Sequence, residues 1–171
     1  MKSGVCMKRN VTAYILSLFV VMTFLSGCGD NAEEKAEKSK VVADRQMLMR
    51  EMSGSVQGLE DALFSGESEE AKKKIMEHAQ LLQSLSADLA NRFETKAKDG
   101  SSQAKNEVWS NKEQFDKAAK ELKAKIDEFA LAVKSEDSKT MQNAYRKLDM
   151  GSVCMQCHQA YRKGPKERGV P

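Results

Sequence analysis

At 171 residues, with 40% apolar and 31% charged side chains, the chain is long enough for one ordinary domain with a real core. Only two prolines amid abundant Ala, Lys, Glu and Leu favour long helices over strands. A formal charge of +3 supplies no large basic field, which sets nucleic-acid binding aside.

The first residues read as an export signal. Lys2, Lys8 and Arg9 precede an uncharged apolar run, "VTAYILSLFVVMTF", at residues 11–24. That run is shorter than the roughly 20 residues of a membrane span but suits a signal core. "LSGC" at residues 25–28 resembles the lipobox of bacterial lipoproteins, in which the cysteine receives diacylglycerol and becomes the new N-terminus. The resemblance implies a signal peptide at 1–27 and lipidation of Cys28; a plain signal or an uncleaved anchor is the alternative. Cleavage removes three basic residues and brings the two charge signs to parity. The polar stretch "GDNAEEKAEKSK" then reads as a flexible tether over residues 28–40.

Four helical segments follow. Residues 41–64 carry Leu48, Met52, Val56, Leu59 and Leu63 at steps of three and four, with Gly54 and Gly58 weakening the segment from inside. Beyond the "SGES" break, Ser68 can cap a second helix over 69–98, with Ile75, Ala79, Leu82, Leu89 and Phe93 inward. Ser110 and Glu113 match a capping box for the third helix, behind which run Phe115, Ala119, Leu122, Ile126, Phe129 and Val133. A fourth helix over 137–163 ends at Gly164 and Pro165, leaving a tail at 164–171. The fold expected is all-α, an antiparallel four-helix bundle spanning 41–163.

The fourth helix contains "CMQCH". A thioredoxin-like CxxC belongs beside a βαβ pattern that this chain lacks. A structural zinc site needs four ligands, and Cys6 and Cys28 are spent on the signal and the lipid. On a helix Cys154, Cys157 and His158 stand at i, i+3 and i+4, on one face. Two thiols that add to porphyrin vinyl groups and an imidazole that binds iron account for all three residues. The pattern therefore predicts one haem c, held covalently through two thioethers on the C-terminal helix.

Three stretches carry a family resemblance. "GSVCMQCHQAYRK", "AKNEVWSNKEQFDKAA" and "DRQMLMREM" resemble the closing helix, the third-helix entry and the first helix of class II c-type cytochromes, the group of cytochrome c′ and its low-spin relatives. Asn106 departs from the proline that many members carry at that place. The resemblance implies His158 as proximal iron ligand and Met49 at the distal position, either as a sixth ligand or as flexible core filler. Arg45, one turn before Met49, can pair with a haem propionate or form a surface salt bridge. Gly151 would clear space for the haem plane, or be a tolerated helix glycine. Trp109 would pack on the haem side, and Arg162 would stand beside the ring or end a solvated helix. His78 reads as a boundary histidine with a hydrogen-bond partner rather than a ligand.

Two functions follow from the distal side. With Met49 bound, the protein is an electron carrier serving exported redox protein partners, because a thioether opposite histidine raises the potential. With iron five-coordinate, it is a cytochrome c′-type binder of NO or CO. Neither is an enzyme, since no general base stands beside the site. The expected location is periplasm-facing on a membrane through the lipid anchor, with the outer membrane slightly favoured by Gly29 after Cys28. The resemblance also allows a homodimer through the first two helices.

Overall fold

The structure is a computed structural model that describes residues 29–164, with side chains from Ala32. The signal at 1–27, Cys28 and residues 165–171 lie outside the described residues. The chain divides into two units at Glu37 and Lys38, and the bundle and its site belong to the second.

Helix α1 spans Gly29–Phe64, α2 Glu69–Asp88, α3 Glu107–Ser110, α4 Lys112–Val133, α5 Ser138–Leu148 and α6 Met150–Tyr161, with a 3-10 turn at Asn91–Phe93. The third helix of the bundle is thus α3 plus α4, and the fourth is α5 plus α6. Among the described residues the sole β feature is one bridge, between Ala104 and Arg162.

Residues 29–40, expected as an irregular tether, are helical and continuous with α1. Ala, Glu and Lys are strong helix formers, and nothing after Gly29 interrupts propagation. Residues 32–38 of that stretch are exposed. No helix among the described residues is long and apolar enough to cross a membrane.

The core follows the predicted stripes. Every α4 residue expected inward is buried, as are Ile75, Ala79 and Leu82 of α2. Leu59, Leu82, Val108, Ile126, Phe129 and Met141 are the largest side chains sealed completely from solvent. Ser68 caps α2 as expected, its hydroxyl accepting from the Ala71 amide at 3.1 Å. Val56 is the exception in α1: it is half-buried and faces a cavity.

Three helix boundaries differ from expectation, each for a local reason. The second helix stops at Asp88, because Arg45 of α1 draws the carbonyls of Arg92, Thr95 and Ala97 out of any further helical ladder. The Ser110–Glu113 capping box does not form. Ser110 lies inside α3, donating its amide to the Asn106 carbonyl at 3.0 Å, and Asn111 is the residue preceding α4. The fourth helix breaks at Asp149, which adopts φ 45°, ψ 54° and accepts from the Ser152 amide. Aspartate tolerates that left-handed geometry, and buried Leu148 and Met150 on either side hold the corner.

At Gly58, α1 lies directly against His78 of α2: a Cβ there would overlap the imidazole. Gly58→Ala is therefore expected to destabilise the protein by about 1–3 kcal/mol through overpacking, despite alanine's better helix propensity. In a His78→Ala background the same change should turn stabilising, by up to about 1 kcal/mol. Urea unfolding of the four proteins checks both signs.

Candidate haem-binding site

The three motif residues share one face of α6, whose first turn is capped by Asp149. Cys154, Cys157 and His158 are half-buried and open onto two adjoining cavities, of about 370 Å³ and 740 Å³. Both volumes fall within the roughly 300–1,000 Å³ typical of cofactor sites. Met49, Ser53, Phe115, Cys157, His158 and Tyr161 border both cavities. Cys154 and Gly151 border only the larger one.

The protonation states suit the chemistry. Burial pushes the Cys154 and Cys157 thiols up, the latter also through the neighbouring Cys154. Burial, and then the charge of Arg162, lowers the His158 pKa. A neutral imidazole is the form that binds iron. No disulfide joins Cys154 and Cys157. No group of three or more His, Cys, Asp or Glu side chains gathers into an ion site among the described residues.

The remaining expected residues divide into those on the cavities and those behind them. Met49, half-buried on α1, borders both cavities. Arg162 ends α6 and borders the smaller cavity, its Nε donating to Gln103 Oε1 at 2.9 Å. Around Gly151 the space for a Cβ is open. Arg45 also borders the smaller cavity, but it forms no surface salt bridge among the described residues: only 4% of it is exposed. Its Nε donates to the Arg92 carbonyl at 2.6 Å, Nη1 to that of Ala97 at 3.0 Å and Nη2 to that of Thr95.

Trp109 does not border either cavity. Its indole donates to the Phe93 carbonyl at 2.9 Å, and its ring lies 5.3 Å from the Arg45 guanidinium. It supports the site from behind rather than facing it. His78 also lies away from both cavities, against Gly58, and no hydrogen bond to it forms among the described residues.

Sequence reasoning missed four contributors: Ser53, Phe115 and Tyr161 on both cavities, and the segment at 103–105. Phe115 was legible only as core; its ring sits 5.1 Å from those of both Phe93 and Tyr161. The 103–105 segment clamps the end of α6, with the Lys105 amide donating to the Tyr161 carbonyl at 2.9 Å and that of Lys163 to Gln103 at 2.8 Å.

These residues fit a covalent haem. Two thiols and an imidazole stand on one helix face, beside a cavity walled largely by apolar and aromatic side chains, with arginines at one end. When bound, the haem would supply the iron; Cys154 and Cys157 would hold it, His158 would offer its imidazole to the iron, and the cavity side chains would wall it.

Comparison with known proteins agrees. The family described as Cytochrome C' matches residues 40–162. A nitric oxide complex of a cytochrome c prime mutant from Alcaligenes xylosoxidans is 22% identical, with a TM-score of 0.63, over 74% of this chain and 97% of that one. Cytochrome c prime from Shewanella frigidimarina is 20% identical over the same shares, also with a TM-score of 0.63. A carbon monoxide-bound variant of the Alcaligenes protein is again 22% identical, covering 74% of this chain and 97% of that one, at a TM-score of 0.63. At such identities these likenesses show the fold alone. No curated protein matches the chain. The family match spans most of the chain, including every motif residue, so the chain belongs to the cytochrome c′ family and carries one covalently attached haem c.

Proposed function

We propose that this protein binds NO and CO at its haem iron, with His158 as the proximal ligand and Met49 above the opposite face. One observation carries the reading. Of the residues bordering both cavities, Met49 is the one outside α6 whose side chain can also bind iron. A thioether is a weak, neutral ligand on a flexible side chain, so a small uncharged gas can take its place. Two of the structural relatives, both variants of the Alcaligenes protein, are an NO and a CO complex of that protein, which supports the reading.

The same position of Met49 favours a second reading, in which the thioether stays bound and the protein carries single electrons between exported redox proteins. Optical spectra of ferric and ferrous holoprotein, with and without CO, separate the two. Gas binding expects a ferrous spectrum that shifts on CO, with Met49→Ala changing the affinity by less than about tenfold. A low-spin spectrum unmoved by CO, which becomes responsive in Met49→Ala, would overturn it in favour of the electron carrier.

We further propose export and anchoring through lipidated Cys28, with the outer membrane favoured, and no catalysed reaction of the protein's own. Haem attachment outside the cytoplasm supports export. Palmitate labelling that persists in Cys28→Ser would count against the anchor.

A further inference from the structure

The two cavities differ in charge. The smaller one is bordered by Arg45, Arg50 and Arg162 and by no carboxylate. The larger one is bordered by Glu60, Glu121 and Lys125. An arginine-only end calls for an anion, and it sets the direction in which an amphipathic ring carrying two carboxylates enters.

The three arginines are not equally available. Arg45 uses three of its five N–H donors on backbone carbonyls. Arg162 commits its Nε to Gln103. Arg50 makes no hydrogen bond or ion pair among the described residues; it is an exposed residue that borders the smaller cavity. It shares a face of α1 with Gln46 and Ser53, at i−4 and i+3, and these together with Met49 border the same cavity.

We propose that Arg50 is the outer propionate clamp: it holds a haem carboxylate at the mouth of the smaller cavity and thereby sets the redox balance of the iron. Arg45 then acts as the inner staple of the 92–97 segment rather than as the main carboxylate partner. A guanidinium suits this task, because its planar fork meets a carboxylate through two parallel hydrogen bonds. The proposal rests on the haem site described above but not on whether Met49 ligates.

The test is potentiometric titration of the holoprotein and of Arg50→Gln, Arg50→Lys and Arg146→Gln. Arg146 is an exposed arginine of α5 away from both cavities, so its substitution makes the same change in net charge. Loss of a cation beside the haem favours the ferric state. Arg50→Gln is expected to shift the ferrous-to-ferric balance towards ferric roughly threefold to tenfold, as a charge at partly screened distance does. Arg50→Lys should recover about half of that shift, and Arg146→Gln should show almost none. Equal shifts in Arg50→Gln and Arg146→Gln, or no shift in either, would overturn the proposal. Thermal unfolding of Arg50→Gln should match that of the parent, since the side chain is exposed. Absence of a covalent haem from the parent protein would instead be a failure of the site itself, seen before any titration begins.

Discussion

Replacing Arg45 with alanine is expected to destabilise the protein by about 3 kcal/mol, among the largest effects of any single substitution outside the apolar core. The guanidinium is buried, and it lies 4.9 Å from the Phe93 ring centroid and 5.3 Å from that of Trp109. Its hydrogen bonds are the tertiary ties that hold the carbonyls of Arg92, Thr95 and Ala97 against α1. Removing it leaves those carbonyls to water or to no partner, and each poorly satisfied buried carbonyl costs roughly 1–3 kcal/mol. Part of that cost is recovered because the segment lies near the surface, which keeps the total close to the lower end. Arg45→Lys should recover less than half, because one ammonium cannot span three carbonyls spread over six residues. Urea unfolding of the holoprotein measures the loss. Hydrogen exchange should locate it, with amides at 94–106 losing protection before those of α2 and α4. A midpoint within about 0.5 kcal/mol of the parent would show that the segment is held by its other contacts.

The role of Arg45 also shows what a sequence hides. Its partners are backbone carbonyls, which every residue carries, so no letter in the chain announces them. Arg45 stands one turn before Met49 in the sequence, yet its hydrogen bonds run to a segment some fifty positions away. The capping box failed for a related reason. Ser110 and Glu113 have the right letters and spacing, but completely buried Val108 pins α3 one turn earlier, with Ser110 inside it. Asp149 was hidden too, because a left-handed aspartate is stabilised here by the burial of Leu148 and Met150, which is a tertiary fact. What was legible rests on periodicity and chemistry. The α4 stripe could be read because a helix buries every third or fourth residue. CMQCH could be read because few other arrangements use two thiols and an imidazole at that spacing.

The second large effect concerns α6 itself. Its one fully buried side chain is Met150, whereas α4 buries seven. Helices in water depend on the packing of an apolar face more than on propensity, so α6 lacks the means to hold its middle in place through protein contacts. Its ends are better secured. Asp149 caps the first turn, and the bridge to 103–105 ties down the last through the Tyr161 carbonyl and the Lys163 amide. A haem held by Cys154, Cys157 and His158 would then supply the burial that holds the middle turns. Cys154→Ala/Cys157→Ala is accordingly expected to lower hydrogen-exchange protection on the order of 100-fold at residues 153–158, as loss of a tightly bound group does. Amides tied by the bridge should fall much less, and the α2–α4 seam should be nearly unchanged. Exchange measured by NMR on the holoprotein and the double variant decides it. If residues 153–158 stay as protected without the thioethers, α6 is held by its own packing and the haem occupies a site that the chain has already completed.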